Sequence, residues 1–205
     1  MSPGNTMLRV YGTLKARILA GEFLPGERLD PGRLALGLGA SRTPVRDALI
    51  RLSGERIVDS WEQEGFRAPH IGEAAIRDLY EWTNEVMHVV LRAASRRPTG
   101  ERPSEGSLLC DDYVTEVATC FLELARRSPN HEHRAVVQSL NDRSATIRMA
   151  ERSIIDDVRS DIAAVETAFG GRDWTEVGRA IDHFHRRRLR LIGEIAAALR
   201  SREPQ

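Results

Sequence analysis

Apolar residues in the first seventy positions recur at helical spacing, but only in short bursts. Leu8, Tyr11, Leu14, Ile18 and Leu19 share one face and stop at Gly21, which predicts a helix closed by a C′ glycine. Leu24-Pro25-Gly26-Glu27 reads as a turn. Asp30 followed by Pro31 reads as the N-cap and first position of a short helix that carries Leu34, Ala35 and Leu38 and ends at Gly39. Ser41 is the N-cap of a third helix, in which Val45, Ala48, Leu49 and Leu52 fall at i, i+3, i+4 and i+7. Residues 56–69 read as two short strands around a Glu64-Gly65 turn.

Beyond residue 71 the periodic runs lengthen. Ile76, Leu79, Tyr80, Thr83, Val86, Met87, Val90, Leu91 and Ala94 predict one helix over 73–97. A breaker-rich connection at 98–107 follows. Further helices are expected at 108–127, 131–158, 160–169 and 173–200, with Gly170-Gly171 separating the last two. The expected fold class is mainly α: three helices and a small β-hairpin over 1–71, then an antiparallel all-α bundle over 72–205.

Composition narrows the class further. The 205 residues are 41% hydrophobic, enough for one or two ordinary cores. Thirty basic residues balance thirty acidic ones, so no overall charge draws the chain to nucleic acid or membrane. Residues 1–70 carry ten Lys/Arg against eight Asp/Glu, a small offset. One Lys against twenty-nine Arg reflects codon bias more than a binding surface. Cys110 and Cys120 are too few for a disulfide framework and lack metal-site spacing, which fits a reducing cytoplasm. No apolar run approaches eighteen residues, and MSPGNTMLRV has neither a basic start nor an apolar stretch of a signal peptide. Secreted, membrane-spanning, collagen-like and wholly disordered classes are thereby excluded.

The chemistry lies in the third helix. Two short helices joined at Gly39-Ala40 match a helix-turn-helix, whose second helix can enter the DNA major groove. With Val45, Ala48, Leu49 and Leu52 inward, Thr43, Arg46, Asp47 and Arg51 face outward, Arg42 stands at the N-terminal shoulder, and Ile50 is also outward. A guanidinium fork bonds guanine O6 and N7 together or clamps a phosphate. Thr43 suits a phosphate or a thymine methyl, and free N–H groups at a helix start favour phosphate. The bland alternative is that helix-turn-helix geometry also serves as a packing motif, and that Arg on a solvated face usually does nothing. The hairpin that follows, with Gly65 at its tip and Arg67 behind, adds a wing and favours DNA.

Tyr11 through Gly21, then Leu24-Pro25-Gly26-Glu27-Arg28-Leu29, then Leu34 through Leu49 resemble GntR-type winged-helix transcription regulators. Ser41-Arg42-Thr43-Pro44-Val45-Arg46-Asp47-Ala48-Leu49 is close to that family's most recognisable stretch, and the likeness runs on through Arg51-Leu52 to Gly65. The resemblance implies operator contacts from Arg42, Thr43 and Arg46, with Gly65 bringing the wing backbone near the minor groove. Arg33, beside the start of the second helix, is assigned a phosphate role, and Arg51 joins the DNA-binding set. The family often has a contact-making Arg near residue 32, where this chain has Gly32.

The helical half resembles, more weakly, the FadR-like branch, whose bundle binds a small effector and dimerises. Many members hold a divalent metal there with an Asp and three His. This chain departs from that pattern: its counterparts fall near Glu116-Val117, Cys120-Phe121 and Asp161-Ile162, with His183 and His185 near the last ligand. The half is also shorter than usual. His131/His133 and His183/His185 are i, i+2 pairs and point to different faces, so neither pair can grip one ion. A site from His88, His133 and His183 on three helices stays open as the alternative; no metal and no cofactor is the main expectation. Asn141 and Arg148, on a helix that lines the effector pocket in relatives, and His183 are the candidates for an effector pocket. Arg186-Arg187-Arg188-x-Arg190 reads as a solvated face paired with Asp/Glu, and Trp82 and Trp174 as core or interface filler.

The resulting expectation is a cytoplasmic, homodimeric, sequence-specific regulator on double-stranded DNA with a palindromic operator. It is expected to act as a repressor and to answer to a small-molecule effector without a metal. An enzyme is disfavoured, because the chain shows no glycine-rich phosphate loop and no nucleophile–His–Asp arrangement in a suitable context. A winged helix used for protein contacts is the remaining rival, and a metal-dependent carboxylate sensor is the rival within the family.

Overall fold

The structure is a computed structural model that describes residues 3–61, 65–96 and 112–201. The chain divides into two compact units, Met1–Ile71 with Leu199–Gln205, and Gly72–Ala198.

The first unit contains α1 (Pro3–Leu19), α2 (Pro31–Leu38), α3 (Arg42–Gly54), β1 (Asp59–Trp61) and β2 (Gly65–Arg67). Val10, Leu14 and Ile18 of α1 are buried with Leu34 and Leu38 of α2 and with Val45, Leu49 and Leu52 of α3. The helical spacing dictates these stripes, and α1 and α2 each pack on α3. The ends of the helices are set by local chemistry. The Glu22 amide reaches back to the Arg17 carbonyl across left-handed Gly21 (φ 68°), closing α1. Asp30 Oδ1 accepts the Arg33 amide at 2.8 Å, with Pro31 following it, and Gly39 (φ 56°) closes α2. Ser41 has the extended backbone of an N-cap, but its hydroxyl makes no capping bond.

β1 and β2 pair antiparallel, Asp59 with Arg67, Ser60 with Phe66 and Trp61 with Gly65. The expected Glu64-Gly65 turn needs correction in one half: Gly65 is the first residue of β2, not the tip, while Glu64 lies outside the described residues. Gly65 sits at φ 83°, a conformation that strains any residue with a Cβ. The hairpin is anchored at its base: Leu29 donates to the Phe66 carbonyl, Ala68 to Glu27 and Gly26 to Ala68.

The second unit contains α4 (Glu73–Ala94), α5 (Tyr113–Arg126), α6 (His131–Ile154), α7 (Ser160–Gly170) and α8 (Trp174–Arg190), and leads into α9 (Ile192–Arg200). α4 packs on α8, α6 and α5; α5 on α6; α7 on α8. α5 is capped by Asp112, which accepts the Thr115 amide at 3.1 Å; the expected start at 108 lies outside the described residues. Two long expected helices are broken. The one expected over 131–158 stops at Ile154, where Ile155 turns extended (φ −101°, ψ 111°) and Asp157 goes left-handed. The one expected over 173–200 splits at Leu191, whose amide bonds to Arg188 rather than one residue further back. The apolar stripe of Ile181, Phe184, Ile192, Ile195 and Leu199 runs straight through that break, so periodicity could not reveal it. Among the described residues no helix is long and apolar enough to cross a membrane.

Candidate nucleic-acid interface

α3 has one apolar face sealed into the core and one face turned to solvent. Arg42, Thr43, Arg46 and Asp47 are exposed on the outer face, while Val45, Ala48 and Leu49 behind them are fully buried. Ile50, also outward, is half-exposed. The sequence therefore brings Arg42, Thr43 and Arg46 onto one surface at the start of the helix, where the unpaired amides of the first turn add a partial positive charge. Arg46 makes no ion pair among the described residues. Arg42 lies beside Asp30: a Cβ on Gly32 would come within 3.0 Å of Asp30 Oδ1 and 3.4 Å of Arg42 Nε. Asp30 stays ionised below its ordinary range, chiefly because it accepts the Arg33 amide, with Arg42 and Arg28 helping.

Two of the expected contact residues are differently engaged. Arg33 is exposed but bonds Glu27 at 2.7 Å, so its charge is partly committed within the unit. Arg51 lies with its guanidinium 4.0 Å from the Tyr11 ring centroid and 3.3 Å from Glu55. Glu55 also accepts from Tyr11 (2.7 Å) and Lys15 (2.8 Å). Burial alone would raise the Glu55 carboxyl, but those donors bring it below its usual value. This cluster ties α3 to α1, and sequence reasoning missed it. The signal was there: Tyr11 and Lys15 stand at i, i+4 on α1, on the side facing Glu55.

The wing supplies the other surface. Gly65 is half-buried in β2 and its partner Trp61 is the most exposed aromatic side chain of the hairpin. Arg67, expected behind the wing tip, turns back and donates to the Gly26 carbonyl at 3.1 Å.

In the helical unit the candidate pocket residues do not form one set. Asn141 and Arg148 are both buried, and Arg148 Nη1 donates to Asn141 Oδ1 at 3.0 Å. Burial depresses the Arg148 guanidinium, while the nearby Glu151 supports its charge. His183, expected with them, is instead 69% exposed, with Asp161 at 3.5 Å. The histidines weighed for a metal take separate partners: His88 bonds Asp182, His133 bonds Ser128, and His185 donates through Nδ1 to the Ile181 carbonyl. Among the described residues no three His, Cys, Asp or Glu side chains converge as ligands.

The arginine run of α8 is the clearest correction. Arg188 is not on a solvated face; it is completely buried, bonded to Glu151 at 2.8 Å and Asp161 at 2.9 Å. Its place on the stripe Val177, Ile181, Phe184, Arg188 was the overlooked signal, an arginine at a core position of an amphipathic helix. Arg186 and Arg190 do face solvent. Trp82 is half-exposed rather than core, and Trp174 packs on Phe169 with ring centroids 6.0 Å apart.

Comparison with known proteins agrees with this geometry. Residues 6–67 match the family described as bacterial regulatory proteins, gntR family. The Nta operon transcriptional regulator of Aminobacter aminovorans is 29% identical over 132 residues, 59% of this chain and 63% of that relative. The HTH-type transcriptional repressor GlaR of Escherichia coli is 36% identical over 80 residues, 37% of this chain and 34% of that relative. The matches thus span less than two thirds of either relative. The solved structure of E. coli McbR/YncC shares the fold at a TM-score of 0.68 and 19% identity, over 92% of this chain and 97% of that one. The first two of these relatives are named as transcriptional regulators. With its exposed α3 surface and anchored hairpin, the segment 6–67 is the part of the chain that matches the gntR family of bacterial regulatory proteins.

Proposed function

We propose that this chain is a sequence-specific regulator that binds a palindromic operator in double-stranded DNA as a homodimer and represses from it. The observation that carries the reading is the outer face of α3: Arg42, Thr43 and Arg46 exposed together over a sealed apolar face, beside the hairpin. Arg46 reads a base edge, Arg42 and Arg33 clamp phosphates, Thr43 meets a phosphate or methyl, and Gly65 lets the wing backbone approach the minor groove. Arg51 acts through Tyr11 and Glu55 by holding α3 in place. Repression follows most simply from occupying a promoter, and the likeness to a relative named as a repressor supports it.

The homodimer is supported by α4. Asp78, Trp82, Glu85, Val89 and Arg92 fall on one exposed stripe, acidic toward its start and basic toward its end. A twofold-related copy running antiparallel would set Asp78 against Arg92 and Trp82 against Val89 on both sides of a dyad near Glu85, the self-complementarity an isologous interface needs. A small anionic effector gripped by Arg148 and Asn141 remains part of the proposal; His183 does not, because it faces solvent.

The test is selection of genomic fragments by the purified chain at two salt concentrations. Enrichment of a short palindrome, with affinity falling steeply as salt rises, is expected because each phosphate contact releases a counterion. Absence of enrichment, or enrichment indifferent to salt, overturns the DNA reading and favours protein contacts by the winged helix. Removing 72–205 should weaken operator binding by loss of dimerisation; equal affinity for the shortened chain removes the bundle as the dimer module.

A further inference from the structure

Glu151 lies at the centre of the helical unit with none of its surface exposed. Three donors from three other helices converge on its carboxylate. Tyr80 of α4 donates to Oε1 at 2.6 Å, Tyr113 of α5 to Oε2 at 2.5 Å, and Arg188 of α8 donates Nε to Oε2 at 2.8 Å. Each donor is itself aimed by its surroundings. Arg188 donates Nη1 to Asp161 at 2.9 Å and to the Phe184 carbonyl at 2.8 Å, and its guanidinium lies over the Phe184 ring, 3.3 Å from the centroid. Arg188 also donates Nη2 to the Tyr113 oxygen at 2.7 Å, which leaves the Tyr113 proton directed at Glu151.

A guanidinium and two phenols converging in a dry site are the elements with which proteins hold a free carboxylate. They stand on three separate helices and do not depend on the backbone of α6. Only the acceptor belongs to α6. We propose that Arg188, Tyr80 and Tyr113 form a carboxylate receptor in the core of the bundle, and that Glu151 is its resident, an internal ligand supplied by α6. Cutting that side chain back creates a binding site for a free monocarboxylate of the size of acetate. The Cγ and carboxyl group of Glu151 are the atoms of acetate, and Glu151→Ala removes just those atoms while keeping the Cβ. The wild-type receptor is full, so the unit keeps its assembled form without an added carboxylate at this position. The proposal concerns the helical unit alone and stands or falls independently of DNA binding.

The experiment is thermal unfolding of the full chain as Glu151→Ala in sodium acetate against sodium chloride at equal ionic strength. Wild type and Glu151→Gln, in which the site remains filled, serve as controls. Acetate should raise the midpoint of Glu151→Ala on the order of 5 °C at about 0.1 M, saturably, because a ligand that binds only the folded state stabilises it by mass action. Formate should do less, butyrate should fail to fit, and neither control should move. Adding Tyr113→Phe to Glu151→Ala should shift the acetate dependence to higher concentration. If Glu151→Ala does not stay folded in chloride, its refolding yield should rise in acetate. Indifference of both midpoint and yield to acetate, or an equal response from wild type, overturns the proposal.

Discussion

The two units of this chain handle charge in opposite ways. In the winged-helix unit, Arg42, near Asp30, and Arg46, over the apolar core, both stand in water. In the helical unit, Arg188, Glu151 and Asp161 are drawn out of water altogether and satisfied by one another. An exposed cation contributes little to stability, because water already solvates it, and remains available to a partner. A buried pair is committed: its desolvation cost is offset only while every partner stays in place. The first arrangement suits a surface that must bind and release. The second suits a core that must hold one arrangement of α4, α5, α6, α7 and α8, each of which contributes a side chain to the cluster.

The largest effect should come from breaking the buried side. Arg188→Met leaves Glu151 and Asp161 buried without their shared cation, and should destabilise the helical unit by about 3–5 kcal/mol. Chemical denaturation measures it, and a loss below about 1 kcal/mol would mean that the cluster is not under the tension the contrast requires.

Next in size is the pH dependence of His185, which is buried against Phe121 and Phe184. Burial, reinforced by Arg188 and Arg148, lowers its pKa to about 4 from an ordinary 6.5. The unfolded chain then binds the extra proton first. Stability from this group is fully present above pH 6.5 and is lost as pH falls toward about 4. The expected slope is about 1.4 kcal/mol per pH unit, about 3 kcal/mol in all. His185→Asn should flatten the profile in that window; an unchanged slope would place the titration elsewhere.

The exposed side should behave in reverse. Arg46→Ala should cost about 1–3 kcal/mol of operator preference over random duplex and leave stability within about 0.5 kcal/mol of wild type. A stability loss with unchanged preference would turn the proposed reader into a packing residue. Arg51→Ala, between the two regimes, should lower stability by about 0.5–1 kcal/mol through its lost contact with Tyr11 and Glu55. Any larger loss of operator affinity than of stability would return Arg51 to the contact surface.

How far the sequence could be read also divides along this line. The winged helix was legible because its signals are local: Asp30-Pro31, Gly39 and the stripe Val45, Ala48, Leu49, Leu52 all act within one or two turns of chain. Its α3 surface followed from the same wheel. Arg51 and Arg33 were misjudged only in what else they touch: Tyr11 and Glu27 enter through tertiary packing or a turn, while Glu55, at i+4 from Arg51, was a local signal left unused. In the helical unit the elements were legible, apart from the breaks at Ile155 and Leu191. The buried cluster was not, because Tyr80, Tyr113, Glu151 and Arg188 are separated by up to 108 positions and meet only after the helices pack. A charged residue on an apolar stripe can be a mistake of register or a core ion pair, and the partner that decides between them lies on another helix.

The anchoring of the hairpin has a consequence for how the first unit moves. The amides of Gly26, Leu29 and Ala68 are tied between the turn after α1 and β2, at 2.8–2.9 Å. Local fraying at the hairpin's far end leaves those three bonds intact, so they can exchange with solvent deuterium only when the unit opens as a whole. The base of the wing is therefore an extension of the helical core and not an arm on a hinge, and the ordering entropy of that base is spent at folding rather than at each encounter with a partner.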